Sequence, residues 1–159
     1  MSHFKKILVP VDFSEHSIAA TQTAVELARA FESKLYLLHS YQIQPGGISP
    51  YGIAVPFPNS ASYFKEVHQA ATQYLAEWQQ KYVPSDVPVE SKIMTEAPSE
   101  AIVDEAKEIG ADLIVIGSRG LSGFMHVMLG SVAERTARRA PCPVMIVHAH
   151  KPEKVKSKS

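Results

Sequence analysis

The sequence predicts an α/β fold in which a parallel β-sheet is covered by helices on both faces. Three observations predict it. Short, continuous apolar runs recur along the chain, as strands buried on both sides require. Longer segments with apolar residues at helical spacing lie between them. The two kinds of segment alternate from start to finish, the mark of strand–helix–strand units with right-handed crossovers. At 159 residues the chain suits one well-buried core and is short for two domains.

Each element has its own signal. Residues 5–11 (KKILVPV) form a compact apolar run, read as the first strand. Ser14 offers an N-cap, and Ile18, Val25, Leu27, Ala28 and Phe31 follow at roughly helical spacing. Residues 34–39 (KLYLLH) are a second strand. From 42 to 61 the pattern dissolves into Pro, Gly and Ser, as in QPGGISPYG and VPFPNSAS, and is read as a flexible loop; its aromatics, Tyr51 and Phe57, suit a lid or a partner contact. Residues 62–82 make a long amphipathic helix carrying Tyr63, Val67, Ala70, Tyr74 and Trp78. Residues 87–94 (VPVESKIM) are a third strand. Pro98 suits the first turn of the next helix and Gly110 its C-terminal cap. Residues 112–116 (DLIVI) are a fourth strand, 131–139 a helix, and 143–147 (PVMIV) a fifth strand. The reading is a single domain over 1–148, with 149–159 a disordered basic tail.

Composition excludes several classes. Lys plus Arg equals Asp plus Glu, 16 against 16, which argues against a dedicated nucleic-acid binder with its basic stripe. The single cysteine, Cys142, permits neither an internal disulfide framework nor a Cys-rich metal site, and fits a reducing, cytoplasmic location. The apolar part of MSHFKKILVPVDFS is too short for a signal peptide, and no run approaches the ~20 residues of a membrane span.

One stretch stands out. Residues 117–131, GSRGLSGFMHVMLGS, hold four of the eight glycines and join the fourth strand to the last helix. In sheets of this type ligands bind beyond the carboxyl ends of strands, so the first strand's end (Pro10, Val11, Asp12) and the fourth's (Gly117) would share a crevice if the two are neighbours. Two familiar phosphate loops fail here. No lysine lies between Gly117 and Ser131, as a P-loop demands, and Gly117 and Gly120 are too far apart for the dinucleotide fingerprint. The spacing that stands is G-x2-G-x9-G-S. Glycines allow close backbone approach, so such a loop can aim several N–H groups at one anion, and the helix that follows adds its N-terminal dipole. The competing reading is local: Ser131-Val132-Ala133-Glu134 is a capping box, so Ser131 would simply start the helix. Asp12-Phe13-Ser14-Glu15 is a second such box.

These residues resemble a known family. The G-x2-G-x9-G-[ST] spacing, the first strand ending V-P-V-D-F-S, the LLH of the second, the run ADLIVIGSRG and the closing APCPVMIV are similar to the universal stress protein family over roughly residues 4–148. The resemblance implies an open five-stranded parallel sheet of order 3-2-1-4-5 and, with the glycine pattern complete, the ATP-binding branch. It places Asp12 at the adenine and ribose side of a pocket floored by Pro10 and Val11. Ser40, where the family commonly has a small apolar residue, would meet adenine through its backbone. Gly117 would lie by the ribose, and Gly120, Gly130, Ser131 and Val132 around the phosphates. Arg119 and His126 lie in the loop outside the invariant pattern; Arg119 is carried as a candidate phosphate contact.

The remaining candidates read as structure. His39, on an apolar strand, is expected to be packed or hydrogen-bonded. Arg135, Arg138 and Arg139 suit the dipole at the far end of the last helix. Cys142 is a small filler. The fifth strand, 144–147, has no lysine or interior proline to blunt pairing, and the resemblance implies a homodimer formed there. The leading expectation is a dimeric, ATP-binding sensor or regulator of a stress response, with Mg2+ or Mn2+ held through the phosphates and water. No catalytic constellation assembles around the γ-phosphate, so the sequence supports at most slow hydrolysis. A nucleotide-independent dimeric interaction module is the rival from another class.

Overall fold

The computed structural model describes residues 3–56, 61–120 and 129–149. His126, Phe57 and residues 150–159 lie outside these. The elements run β1 (Lys6–Pro10), α1 (Glu15–Phe31), β2 (Lys34–Ser40), α2 (Ala61–Tyr82), β3 (Val89–Met94), α3 (Pro98–Ile109), β4 (Leu113–Gly117), α4 (Ser131–Arg139) and β5 (Val144–Val147). The strands form one sheet of order β3-β2-β1-β4-β5. Every pairing is parallel.

The strand period of two divides the core. In β1, Ile7 and Val9 face one side and join Ala20, Ala24 and Val25 of α1 and Leu75 and Trp78 of α2. Leu8 faces the other side, with Ile114 and Ile116 of β4, Ala101 and Ile102 of α3 and Ala133 of α4. Ile7, Leu8 and Val9 are each fully buried, which is why this strand is apolar on both faces. Each such side chain stabilises the fold by roughly 1.5–3 kcal/mol relative to exposure. Behind the first layer, the Trp78 indole N–H donates to Thr21 Oγ1 at 3.2 Å, and that hydroxyl donates to the Ser17 carbonyl at 2.7 Å, tying α2 to α1.

Helix ends follow local rules in most places. Ser14 caps α1, accepting from the Ser17 N–H. Pro98 opens α3, and Gly110 closes it in the left-handed conformation at φ 64°. The helix faces differ in detail from expectation. In α2 the buried positions are Val67, Ala71, Leu75 and Trp78, whereas Tyr74 is exposed. In α1 small residues bury most completely, because Ala20, Ala24 and Ala28 let the helix lie close to the sheet.

The stretch after β2, expected as a flexible loop, is over 42–56 a compact hairpin. Gly46 N donates to the Val55 carbonyl and Val55 N to that of Gly47, both at 2.9 Å. Buried Ser49 accepts at its Oγ from the N–H groups of Tyr51 and Ile53. Val55 joins Tyr41, Val67 and Ala71 in a small apolar cluster against α2. Composition concealed this, because Gly46 and Gly52, both at φ 78°, mark turns of a hairpin as readily as an irregular loop.

Candidate functional site

The strand order reverses between β1 and β4, and a cavity of about 750 Å³ opens beyond their carboxyl ends. That volume suits a nucleotide-sized molecule. All ten residues expected at a site line it: Pro10 at the end of β1 with Val11 and Asp12 after it; Ser40 at the end of β2; Gly117 at the end of β4 with Arg119 and Gly120 after it; and Gly130, Ser131 and Val132 at the start of α4. Leu38, Ile102 and Ile116 add an apolar wall.

Asp12 is the most constrained of these. Its Oδ1 accepts from the Ser14 N–H at 3.0 Å, the Ser14 hydroxyl at 2.5 Å and the Ser17 hydroxyl at 2.6 Å. The Asp12 N–H in turn donates to Ser17 Oγ at 3.0 Å. Asp12 is therefore not the helix cap that one reading of its box suggested; Ser14 holds that position, and Asp12 lies two residues before it. The chain turns sharply between them, with Phe13 at φ 65°, a left-handed conformation uncommon for an aromatic residue. Ring contacts hold it there, with His39 at 4.4 Å, Trp78 at 5.6 Å and Tyr74 at 5.7 Å between centroids.

His39 supports the same turn from below. It is buried, and its Nδ1 donates to the Val11 carbonyl at 2.7 Å, while Nε2 accepts from the Tyr51 hydroxyl of the hairpin. Burial pushes its pKa below the ordinary imidazole value, against the opposing pull of the Val11 carbonyl and the Asp12 charge. The packed, hydrogen-bonded reading of this residue holds. Burial likewise raises the Tyr51 hydroxyl far above its usual range. Ser40, beside the pocket rim, donates its hydroxyl to the Glu96 carbonyl at 2.5 Å.

The glycines differ in what their bareness serves. A Cβ on Gly117 would stand 2.7 Å from His16 Cβ and 2.8 Å from its backbone carbon, so this glycine lets α1 approach β4. A Cβ on Gly120 would meet Asp12 Oδ2 at 2.6 Å, between two residues that line the cavity. At Gly130 it would stand 3.1 Å from the Ser118 carbonyl, which accepts from the Gly130 N–H at 2.7 Å and so closes the two ends of the loop together.

The helix that follows corrects one expectation. Gly130, not Ser131, is the N-cap of α4, and no side chain caps that end. Ser131 is the first helical residue, so its capping box is out of register by one. The first N–H groups of α4 are consequently left facing the cavity without a side-chain acceptor, at the positive end of the helix dipole. The arginines lie downstream as expected, with Arg138 bonded to Glu134 at 2.8 Å one turn back. Cys142 is half-buried and free, and burial raises its thiol pKa.

Sequence reasoning missed the other lining residues, among them Ser17, Leu38, Pro98, Ile102 and Ile116. Ser17 falls five residues after Asp12 inside a helix, and only the left-handed turn at Phe13 folds it back. Among the described residues no group of three His, Cys, Asp or Glu side chains gathers to hold a metal, and no helix is long and apolar enough to cross a membrane.

Comparison with known proteins agrees with this architecture. Residues 3–148 match the model of the universal stress protein family. The chain is 35% identical to universal stress protein YxiE of Bacillus subtilis, covering 91% of this chain and 99% of that one. Among solved structures, UspA from Lactobacillus plantarum superposes with a TM-score of 0.70 at 24% identity, over 91% of this chain and 97% of its own. A universal stress protein solved in complex with cAMP is 28% identical, with a TM-score of 0.59, over 92% and 98% of the two chains. The chain belongs to the universal stress protein family.

Proposed function

We propose that the protein binds ATP in this cavity and serves as a dimeric, nucleotide-dependent regulator in a stress response. The observation that carries the reading is the mixed lining of the cavity. It holds the Asp12 carboxylate, an acceptor. It holds the start of α4, which no side chain caps and whose first N–H groups are donors. Leu38, Ile102 and Ile116 add apolar surface. A ligand matching this combines hydroxyl or amino groups, an apolar flat body and an anion, as a nucleoside phosphate does. The cAMP complex of a relative supports an adenine nucleotide. The complete G-x2-G-x9-G-S spacing favours the triphosphate. A divalent cation would accompany it through phosphate oxygens and water, neutralising charge.

Calorimetric titration of nucleotide-free protein with Mg-ATP, repeated on Gly120→Val, tests this reading. The added side chain would meet the Asp12 carboxylate in the cavity lining rather than the core. Binding by the wild type and its loss, by at least about tenfold, in a folded variant is the expected result. Absence of heat from folded, ligand-free wild type would leave the nucleotide-independent interaction module.

A further inference from the structure

We propose that Ser17 is a positioning residue of the nucleotide site, acting through Asp12; the proposal rests on the ATP-binding reading above. A carboxylate at a pocket rim ordinarily rotates, and its two oxygens exchange places. Here the Ser17 hydroxyl is held on both sides by the same residue, accepting from the Asp12 N–H at 3.0 Å and donating to Asp12 Oδ1 at 2.6 Å. Ser17 is buried, on the first turn of α1, and cannot follow a rotating carboxylate outwards.

The Ser14 N–H and hydroxyl bring two more donors to the same oxygen. Oδ1 thus carries three donors, and Oδ2 stands beside Gly120, 2.6 Å from where a Cβ there would be, both residues lining the cavity. The arrangement fixes one lone-pair direction for a ligand amino or hydroxyl group. It also aligns the carboxylate before the ligand arrives, so that no rotamer need be frozen on binding.

Ser14 shares the task but also caps α1 through the Ser17 N–H at 3.3 Å, so its removal would change helix stability as well. Ser17 separates the two effects. It caps nothing, and alanine fits its space. Its hydroxyl bonds the Asp12 N–H and Oδ1, and because Ser17 also lines the cavity, the Asp12→Ala background separates an effect through Asp12 from a direct contact with the ligand.

The test is a double-mutant cycle read by Mg-ATP calorimetry on the full chain: wild type, Ser17→Ala, Asp12→Ala and the double variant. We expect Ser17→Ala to weaken binding about tenfold in the wild-type background, the size of a hydrogen bond to a charged group. In the Asp12→Ala background the same change should weaken it less than about twofold. Ser17→Cys, which keeps the shape with a weaker donor, should fall between, and it repeats the cycle should the alanine protein fail to fold. An equal loss in both backgrounds would make Ser17 merely structural and overturn the proposal, as would no loss in either. Failure of the wild type to bind Mg-ATP would overturn the ATP-binding reading itself, and the proposal with it.

Discussion

Gly117 and Gly120 are three residues apart in one motif, yet their missing side chains do different things. A methyl on Gly117 would stand within 2.9 Å of the His16 Cβ, backbone carbon and carbonyl oxygen, and a helix backbone cannot step aside. A methyl on Gly120 would meet one carboxylate oxygen at the end of a side chain. Gly117→Ala should therefore lower unfolding stability by about 1–3 kcal/mol, the ordinary cost of overpacking, read from the urea midpoint at unchanged slope. Equal stability in Gly117→Ala and wild type would mean that α1 shifts freely, against the close packing of His16 on β4. The motif thus belongs partly to the fold and only partly to the ligand. Its spacing alone does not separate the two, because the neighbour of Gly117 comes from a helix 101 residues earlier in the chain.

At the scale of elements, α4 has the least conventional end. Its N-cap is Gly130 in extended conformation, φ −63° and ψ 151°, which any residue can adopt. An aspartate there would supply the missing cap, worth about 1 kcal/mol. Crowding against the Ser118 carbonyl at 3.1 Å would offset this. Gly130→Asp should leave the melting temperature within a few degrees of wild type. It should also abolish Mg-ATP binding, because a carboxylate would occupy the place proposed for phosphate. Retained binding in this variant would move the anion elsewhere. The sequence made α4 and its bounds, 131–139, legible but not its cap, since Ser131-Val132-Ala133-Glu134 has the form of a capping box and its first residue is already helical. In α2, Val67 and Trp78 are buried as expected, whereas Ala70 and Tyr74 fall one step from the buried Ala71 and Leu75. Tyr74 looked like a core aromatic, but its ring meets Phe13 and Tyr51 beside the hairpin and remains exposed, while Leu75 takes the buried place. By contrast, Pro98 and Gly110 bounded α3 correctly, because φ restriction and positive φ are local properties.

For the whole molecule, the sheet has two edges of opposite character. β3 is largely exposed and carries Glu90 and Lys92, each in an ion pair, with Lys34 and Glu105 respectively, at 2.6 Å. Charge of this kind discourages strand addition. β5 reads Val-Met-Ile-Val, with Met145 37% exposed and nothing charged within the strand. Sequence showed the apolar character of 144–147, but alternation of strands and helices does not dictate which strands end as edges. The order came from the resemblance, and the edge position of β5 is now seen directly. The dimer we propose pairs two β5 strands antiparallel about a two-fold axis, which repeats any substitution on both sides of the interface. Met145→Lys would bring two ammonium groups towards each other and remove two apolar side chains. Sedimentation should then change from a dimer to a monomer at the same protein concentration. Mg-ATP affinity should stay within about threefold, because the cavity is lined from β1, α1, β2, α3, β4 and α4 and not from β5. A wild-type protein that sediments as a monomer at tens of micromolar would place the partner of this edge outside the chain itself. A dimer that survives the lysine would place the two-fold axis on another surface.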